Sequence, residues 1–394
     1  MLVTNSIVDD QIGGLQRYVT ELSGALVQRG AEVTVLARRL SREAPKRATR
    51  EGASIVRRAY ISRGNPLYVV LHPLTGAAAT AAYLRSLPRD VVVHGHFPVQ
   101  SAPLIAMRRR PFVYTFHAPA HRELIPEHRG RYPMPRVIRG GAASTLKALE
   151  SGLLRRAERV AVLSAFMREQ VLELVPQIER RIEILPGGLD LERFTPGKAA
   201  ADQWSDEAEP LLFSARRLVP RTGVLELVEA MPALLSRRPR ARLAIAGSGA
   251  LQGEIEQAIA RLELQGSVRL LGTVSESGLI DWYRRADLAV MPTQELEGFG
   301  LTAVEAMACG TPVFATSAGA LPEVVGQLGP EFLTNGRTPA DLAGGLAALL
   351  ERPEVLEPAG AAARRVVERR YGWDTVADRY LDLYDAVLRG GRRD

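Results

Sequence analysis

Little in this sequence suits a secreted or membrane-spanning protein. Its single cysteine, Cys309, excludes an internal disulfide and fits a reducing compartment. No run of 18 or more apolar residues occurs, and the first residues lack a basic-then-apolar secretion signal. We therefore expect a cytoplasmic protein. In its Ala-rich surroundings, Cys309 is expected to be a small buried side chain rather than a nucleophile.

What is present fits a folded protein of two domains. The chain has 394 residues, 46% of them hydrophobic and 24% charged. Residues 1–150 carry a net charge of +12 and the remainder a net charge of −5. A basic half can face nucleic acid, anionic lipid or an anionic substrate, or can simply present solvated arginines. Nucleic acid is disfavoured, because the arginines stand in scattered pairs without interleaved aromatic residues.

The first residues predict a βαβ unit and therefore a parallel sheet. Leu2 to Thr4 reads as a strand, Gly13-Gly14 opens an amphipathic helix, and Val33 to Ala37 reads as a second strand. A glycine pair at such a helix start suits phosphate binding or a plain tight turn. Further strands are predicted at 55–57, 91–94, 111–116 and 159–163.

Two strand patterns in this first series end in histidine. Because ligands gather at the carboxyl ends of strands in an open α/β sheet, we expect His94, His96 and His117 to line one crevice. A plain core histidine is the alternative for His94. The stretch 117–149 is a basic, proline-containing loop followed by a basic helical run. It suits a lid that binds an acceptor or faces a membrane, or a loop without function.

A second α/β series follows a stretch without clear periodicity. We place the first domain at 1–190, a linker at 191–210 and the second domain at 211–370, with a helix at 371–394. Strands are predicted at 211–215, 242–246, 268–271, 288–291 and 313–316, with helices at 223–235, 251–262 and 279–285. Two Rossmann-like parallel-sheet domains facing across a cleft are the predicted architecture.

Two carboxylates mark the candidate site in the second domain. Glu297 follows a predicted strand, and Glu305 would lie about two turns into the next helix. Gly298 and Gly300 allow close backbone approach at a helix N-terminus that favours an anion. An unpaired carboxylate on the apolar helix around Glu305 would be costly, so a ligand role competes evenly with a solvated surface glutamate.

Several motifs in order resemble one family. They are Gly13-Gly14, Phe116-His117, Leu185-Pro-Gly-Gly-Leu-Asp, Ala215-Arg-Arg-Leu-Val-Pro-Arg-Thr-Gly, Gly272-Thr-Val, and Glu297-Gly-Phe-Gly through Gly319-Ala-Leu-Pro-Glu. Together they resemble the retaining GT-B glycosyltransferases of the GT4 type, also called glycosyl transferases group 1. The resemblance covers nearly the whole chain. It implies metal-independent transfer of a sugar from a nucleotide diphosphate sugar to an acceptor hydroxyl, with no cofactor.

The resemblance also implies residue roles. Glu297 would meet hydroxyls of the donor sugar, Glu305 would hold the ribose, and Arg217 would clamp the diphosphate. The C-terminal helix would cross back to the first domain. The residues assigned in this way are His117, Arg217 and Glu297 to catalysis; His96, His117 and His121 to the acceptor side; and Gly13, Gly14, Arg216, Arg217, Arg221, Thr222, Gly272, Thr273, Val274, Glu297, Gly298, Phe299, Gly300, Leu301 and Glu305 to donor binding.

One departure from the family pattern concerns the diphosphate. Thr222 stands where the family usually has a lysine, five residues after the clamping Arg217. Arg216 stands where the family usually has a glycine, directly before Arg217. Arg221 or Arg216 could supply the missing cation, although arginine and lysine are not equivalent. No Asp-x-Asp sequence occurs, in keeping with a site without metal.

Other functions remain open at this stage. A nucleotide-sugar-binding protein without turnover is one alternative, and a GT-B epimerase is another, although its carboxylate and histidine set is not matched. A phosphorylase would need a pyridoxal phosphate lysine, which the second domain lacks. The acceptor could be a lipid, a cell-envelope glycan or a natural product. The basic first domain also suits peripheral contact with an anionic membrane.

Overall fold

The computed structural model describes residues 1–9, 13–58, 60–61, 68–107, 110–123, 136–199 and 210–390. Within these ranges the chain forms two compact units. The first contains residues 1–188 and 373–394, and the second contains residues 189–372. Part of the predicted linker, 200–209, and the middle of the predicted basic loop, 124–135, lie outside the described residues.

The first unit contains an eight-stranded sheet in the order β3-β4-β2-β1-β5-β6-β7-β8. Its described strand pairs are parallel except β3 with β4. The order reverses at β1, which pairs with β2 on one side and β5 on the other. The strands are β1 (Leu2–Val3), β2 (Thr34–Arg38), β3 (Arg47–Arg50), β4 (Ala53–Arg58), β5 (Val93–Gly95), β6 (Phe112–Phe116), β7 (Arg159–Val162) and β8 (Ile182–Ile184).

The antiparallel strand β3 was not predicted from the sequence. It is short and its residues alternate between exposed and half-buried, so no apolar pattern marks it. It pairs with β4 through a hairpin whose turn residues, Glu51 and Gly52, both have positive φ, at 48° and 81°. Such a pair matches the right-handed twist of the flanking strands. The hairpin adds an edge strand away from the point where the strand order reverses.

Helices flank the first sheet and bury their apolar faces against it. In the first helix Tyr18, Val19, Leu22 and Leu26 are buried at helical spacing, as the sequence pattern predicts. The helices are α1 (Gly14–Gln28), α2 (Tyr68–Arg85), α3 (Pro98–Ser101), α4 (Ala120–Glu123), α5 (Arg136–Arg156) and α6 (Ala165–Leu174).

The second unit contains a six-stranded, wholly parallel sheet in the order β11-β10-β9-β12-β13-β14. Counted from β9, this is the order 3-2-1-4-5-6 of dinucleotide-binding Rossmann folds. The predicted parallel sheet is confirmed, and β9, β10, β12 and β13 have the predicted bounds. The strands are β9 (Leu211–Ala215), β10 (Arg242–Ala246), β11 (Val268–Gly272), β12 (Leu288–Met291), β13 (Val313–Thr316) and β14 (Leu333–Thr334).

Helices connect the strands of the second sheet. Arg364 on the last of them donates to the backbone oxygens of Phe194, Ala308 and Leu191, at 2.6, 2.9 and 3.2 Å, and so fastens the start of the unit to its end. The helices are α7 (Val224–Arg237), α8 (Gln252–Arg261), α9 (Glu276–Arg285), α10 (Leu301–Ala308), α11 (Leu321–Val324), α12 (Pro339–Leu350) and α13 (Pro353–Arg370).

The last helix, α14 (Trp373–Gly390), belongs to the first unit and packs against α1. The Trp373 indole N–H donates to the Glu21 carboxylate at 2.8 Å. The hydroxyl oxygens of Tyr18 and Tyr380 are 2.6 Å apart. Arg29, at the end of α1, also forms ion pairs with Asp374 and Asp378 of α14. Each of these polar contacts fixes a residue of α14 against a residue of α1 or its cap.

Candidate active site

Charged residues meet in the second unit where the strand order reverses, between β9 and β12. The two strands pair through Leu288 and Ala289 of β12. Arg216 and Arg217 follow the carboxyl end of β9, and Glu297 lies in the loop after β12. Ligands of open α/β sheets bind at such a switch point. The structure thus brings predicted arginines and the first predicted carboxylate to one end of the sheet.

The Glu297 loop is held on one path by several independent contacts. Glu297 Oε1 accepts from the backbone N–H of Gly300 at 3.1 Å, and its backbone oxygen accepts from the N–H of Ala320 at 2.9 Å. Leu296 has a φ of 53°, a left-handed conformation that is strained for leucine. Gly319 has a φ of 58°, and a Cβ there would lie 2.3 Å from the Glu297 oxygen. The loop therefore has little freedom to change course.

The Arg216 side chain forms hydrogen bonds to this loop and to the first turn of α10. Its Nη2 donates to Glu297 Oε2 at 2.8 Å and to Thr293 Oγ1 at 2.9 Å. Its Nη1 donates to Thr302 Oγ1, in the first turn of α10, at 3.3 Å. Its side chain is only 8% exposed, whereas Arg217, the next residue, is exposed. The two adjacent arginines therefore have different roles: one is built into the protein and the other stands at the surface.

Thr222 and Arg221 sit beside the same loop. The Thr222 hydroxyl lies 2.6 Å from the backbone oxygen of Arg217 and 2.7 Å from that of Val219. Thr222 is buried, so its side chain closes its own turn. Arg221 Nη1 is 3.4 Å from the backbone oxygen of Leu296, a long hydrogen bond. A threonine in this arrangement supplies no cation to a ligand.

The second carboxylate, Glu305, is a buried side chain on helix α10. The helix begins at Leu301, after Gly300 in a left-handed conformation with a φ of 85°, so Glu305 lies just over one turn into it. The sequence interpretation of two turns was wrong, because the helix starts later than the glycine-rich turn suggested. Glu305 is 2% exposed and accepts from the Tyr283 hydroxyl at 3.2 Å. Its carboxylate is thus partnered, as the burial cost requires.

Other residues assigned to donor binding occupy neighbouring strand ends. Gly272 closes β11 with a φ of 65°, and its backbone oxygen accepts from the N–H of Gly247 at 2.7 Å. The Thr273 hydroxyl donates to Ser248 Oγ at 3.4 Å. The Phe299 ring is buried edge-on against Tyr371 with centroids 5.5 Å apart. The N–H of Gly300, a residue assigned to donor binding, donates to Glu297 Oε1 within the loop.

The first unit presents its glycine pair at the start of α1. Gly13 is extended, with a φ of 178°, and Gly14 is the first helical residue. A Cβ on Gly13 would lie 2.5 Å from the side-chain oxygen of Gln16, whereas a Cβ on Gly14 would meet nothing within 4 Å among the described residues, which resume at Gly13. The backbone at Gly14 therefore faces open space, which leaves a helix N-terminus accessible to an anion.

The three histidines predicted to line one crevice do cluster at the carboxyl ends of β5 and β6, but His94 and His96 are buried, at 1% and 2% exposure. The His94 and His96 ring centroids are 4.0 Å apart, and His96 Nδ1 is 3.1 Å from His117 Nε2. Desolvation by burial lowers the pKa of His117 to about 3 and lowers the pKa values of His94 and His96 well below their usual range. The cluster is therefore uncharged near neutral pH.

His94 is the core member of this cluster, the alternative considered for it above. Its Nδ1 is 2.7 Å from the Tyr384 hydroxyl and its Nε2 is 2.6 Å from the Thr115 hydroxyl. It is 1% exposed. Both ring nitrogens are thus satisfied by protein groups, so His94 supports the site from within.

His121 lies in α4 and pairs with a buried glutamate. Its Nδ1 is 3.1 Å from Glu150 Oε2, and the N–H of Ala120 donates to Glu150 Oε1 at 3.1 Å. Burial raises the pKa of the Glu150 carboxyl, and the hydrogen bonds from His121 and Ala120 oppose that rise. His121 thus ties α4 to α5 within the described part of the basic loop.

Comparison with known proteins decides the family. Residues 12–193 match the family model Glycosyltransferase Family 4, and residues 198–366 match Glycosyl transferases group 1. A D-inositol 3-phosphate glycosyltransferase of Geodermatophilus obscurus is 32% identical over 95% of this chain and 85% of its own. The chain belongs to the GT4 glycosyltransferases. The predicted family is confirmed, and the protein is an enzyme of the glycosyltransferase class.

Other relatives of this glycosyltransferase agree. A glycogen synthase of Mycobacterium tuberculosis is 30% identical over 97% of this chain and 93% of its own. The solved sucrose-phosphate synthase from Thermosynechococcus elongatus superposes with a TM-score of 0.76 at 22% identity, over 99% of this chain and 98% of that one. The predicted GT-B architecture of two parallel-sheet α/β domains is confirmed.

Sequence reasoning missed the aromatic residues that surround the histidines of this glycosyltransferase. The Tyr18 ring packs edge-on against His117 with centroids 4.9 Å apart. The Tyr380 hydroxyl lies 3.3 Å from Thr115 Oγ1, and the Tyr384 hydroxyl lies 2.7 Å from His94 Nδ1. The spacing of Tyr380 and Tyr384, one turn apart on an amphipathic helix, was the available signal.

The described residues of the glycosyltransferase offer neither a metal-ligand cluster nor a membrane-spanning helix. Across the part of the chain that the structure describes, no three His, Cys, Asp or Glu side chains gather in a way that could hold a metal ion. Among those same described residues, no helix is both long and apolar enough to cross a membrane.

Cys309, predicted to be buried, is 4% exposed, and burial raises the pKa of its thiol to about 12.

Proposed function

We propose that this glycosyltransferase moves a sugar from a nucleotide diphosphate sugar to an acceptor hydroxyl, with retention at the anomeric carbon and without a metal ion. The observation that carries the proposal is the switch point of the second sheet. There an exposed arginine, Arg217, follows β9, and the braced carboxylate of Glu297 follows the adjacent strand β12. One group suits phosphate and the other suits sugar hydroxyls.

Each proposed role follows from the chemistry of the group. A planar guanidinium binds phosphate oxygens in pairs, so Arg217 is assigned to the diphosphate. The N-terminus of α10, which begins after the Glu297 loop, adds the positive end of a helix dipole in the same unit. Glu297 is assigned to accept hydrogen bonds from hydroxyls of the donor sugar. Glu305, which accepts a hydrogen bond from the Tyr283 hydroxyl, is assigned to the ribose.

The proposed reaction breaks the bond between the anomeric carbon and the phosphate oxygen and forms a bond from that carbon to the acceptor oxygen on the same face. The acceptor proton passes to the departing phosphate. Arg217 stabilises the negative charge that develops on the diphosphate. His117 is uncharged because burial lowers its pKa to about 3, so it positions the donor sugar as a neutral hydrogen-bonding group.

The names of relatives guide the choice of substrates to test. A structural neighbour, HepE of Anabaena, is solved in complex with UDP and glucose, and a starch synthase of Arabidopsis thaliana is solved with ADP. A relative at 32% identity is named for D-inositol 3-phosphate. The donor panel therefore includes UDP, GDP, ADP and TDP, and the acceptor panel includes D-inositol 3-phosphate beside glycan, lipid and natural-product hydroxyls.

The experiment has two stages. A thermal-shift screen of the four nucleoside diphosphates identifies the base, because a ligand that binds the native state raises the unfolding temperature. Donor consumption is then followed with glucose and mannose conjugates of that nucleotide across the acceptor panel, and the anomeric configuration of the product is read by NMR. Binding without turnover across all acceptors would favour the nucleotide-sugar-binding alternative, and conversion of the donor to its epimer would favour an epimerase.

A further inference from the structure

Two positions in this chain depart from the family pattern, and they lie in one loop. Position 216, where the pattern has glycine, carries an arginine, and position 222, where it has lysine, carries a threonine. The Thr222 side chain is turned into its own loop, with its hydroxyl against two backbone oxygens at 2.6 and 2.7 Å. A hydroxyl has a single hydrogen to donate, and these two backbone oxygens take it up, so none is left to donate to a phosphate oxygen.

Whereas the Thr222 side chain bonds within its own loop, the Arg216 side chain bonds to a different loop. It spans from β9 to the loop after β12, with Nη2 at 2.9 Å from Thr293 Oγ1 and at 2.8 Å from Glu297 Oε2. It is 8% exposed, and the Glu297 side chain is 15% exposed. A charge-assisted hydrogen bond sheltered from solvent is roughly twice as strong as a neutral one. The ion pair is therefore a fixed part of the site rather than a surface contact.

Glu297 is consequently oriented from two sides. One carboxylate oxygen is held by the Gly300 N–H at 3.1 Å and the other by Arg216. An ionised carboxylate accepts about four hydrogen bonds in total, so about two positions remain for other donors. Without Arg216, one oxygen would lose its anchor and the carboxylate could rotate about its last bond.

We infer that Arg216 is a positioning residue that orients Glu297 toward the hydroxyls of the donor sugar. The inference rests on the proposed function, in which Glu297 meets that sugar. It predicts that recognition of the sugar, as distinct from the nucleoside diphosphate, depends on residue 216. The cation missing at position 222 is therefore not restored on the phosphate by Arg216, because the Arg216 guanidinium is committed to Glu297.

The test compares two ligands on each variant by titration calorimetry. The ligands are a nucleoside diphosphate and its sugar conjugate: UDP with UDP-glucose, GDP with GDP-mannose, ADP with ADP-glucose, or TDP with TDP-glucose, using the pair that the wild-type protein binds. Arg216→Met should weaken binding of the conjugate about tenfold, the loss expected for one hydrogen bond to a charged group, while the nucleoside diphosphate keeps its affinity within about twofold. Arg216→Lys should give a smaller loss, since it keeps the charge.

Controls separate positioning from folding. Arg240→Met removes an exposed arginine in the turn before β10 and should change neither affinity. Glu297→Gln keeps the shape of the side chain, and combining it with Arg216→Lys should cost no more than Glu297→Gln alone, because both act through one carboxylate. This cycle carries the test if Arg216→Met does not fold.

The outcomes are distinct. Equal loss of both ligands in Arg216→Met, or no loss of either, would overturn the positioning role while leaving the proposed function intact. Additive losses in the Arg216→Lys and Glu297→Gln pair would overturn it as well. If the wild-type protein bound none of the four pairs, the proposed function itself would fail, and the inference with it.

Discussion

His96 and His117 are hydrogen-bonded to each other, with His96 Nδ1 at 3.1 Å from His117 Nε2. They follow neighbouring strands, β5 and β6, so the parallel register of the sheet brings them together. Desolvation lowers both pKa values, that of His117 to about 3. In the native protein one imidazole therefore donates and the other accepts, and neither is charged near neutral pH.

This pair predicts a pH dependence of stability. An unfolded histidine titrates near 6.5, whereas native His117 stays neutral down to about 3, so the unfolded state binds more protons between these values. The free energy of unfolding should therefore fall as the pH is lowered from about 6.5 toward 3. Urea unfolding at pH 7.5, 6.5 and 5.5 measures it.

The matched variant for this measurement is His117→Gln, which removes the half-buried imidazole of the pair. Its free energy of unfolding should decline less steeply over the same pH range than that of the wild-type protein. Because His94 and His96 also have lowered pKa values, part of the slope should remain. An unchanged slope in His117→Gln would show that His117 does not stay neutral in the native state.

The main strands were predictable from the sequence because they follow a local rule. Apolar runs between turn residues predicted β9, β10, β12 and β13 with their observed bounds. Ligands of a parallel sheet bind at the carboxyl ends of such strands. The clustering of His94, His96 and His117 followed from the same rule.

The partners of the site residues were not predictable, because they depend on loop paths and distant segments. Arg216 meets Glu297 81 residues further on, and His94 meets Tyr384 290 residues further on. No local pattern encodes either contact. The start of α10 was misplaced for a related reason: no local pattern shows that the turn extends as far as Gly300, whose left-handed conformation immediately precedes the helix.

The hydrogen bond between Tyr18 and Tyr380 should stabilise the contact of α14 with α1. The two hydroxyl oxygens are 2.6 Å apart and both side chains are buried. Tyr380→Phe would leave the Tyr18 hydroxyl without this partner, at a cost of about 1–3 kcal/mol in the free energy of unfolding. The double variant Tyr18→Phe with Tyr380→Phe should cost less than the sum of the single variants. Chemical denaturation of all four proteins tests this, and simple additivity would argue against the bond.

Glu305 should matter for both donor binding and stability, and Tyr283 separates the two effects. Glu305→Ala removes a carboxylate that is 2% exposed and strands the Tyr283 hydroxyl, so both donor affinity and stability should fall. Tyr283→Phe removes only the hydroxyl, so it should lower stability by about 1 kcal/mol and change donor affinity far less. If Glu305→Ala bound and turned over donor as the wild-type protein does, its ribose assignment would be wrong.

Gly14 should be a position where stability and activity respond in opposite directions. Among the described residues an added Cβ meets nothing within 4 Å, and alanine is more favourable than glycine in a helix, so Gly14→Ala should stabilise the fold by up to about 1 kcal/mol. If Gly14 lies beside the donor diphosphate, the same methyl group should raise the donor KM. Gly253→Ala is the matched control, since Gly253 is also exposed in the first turn of a helix, α8, with open space around it. Both variants should gain stability in thermal unfolding, but only Gly14→Ala should raise the KM. Equal KM values in the two variants would remove Gly14 from the donor site.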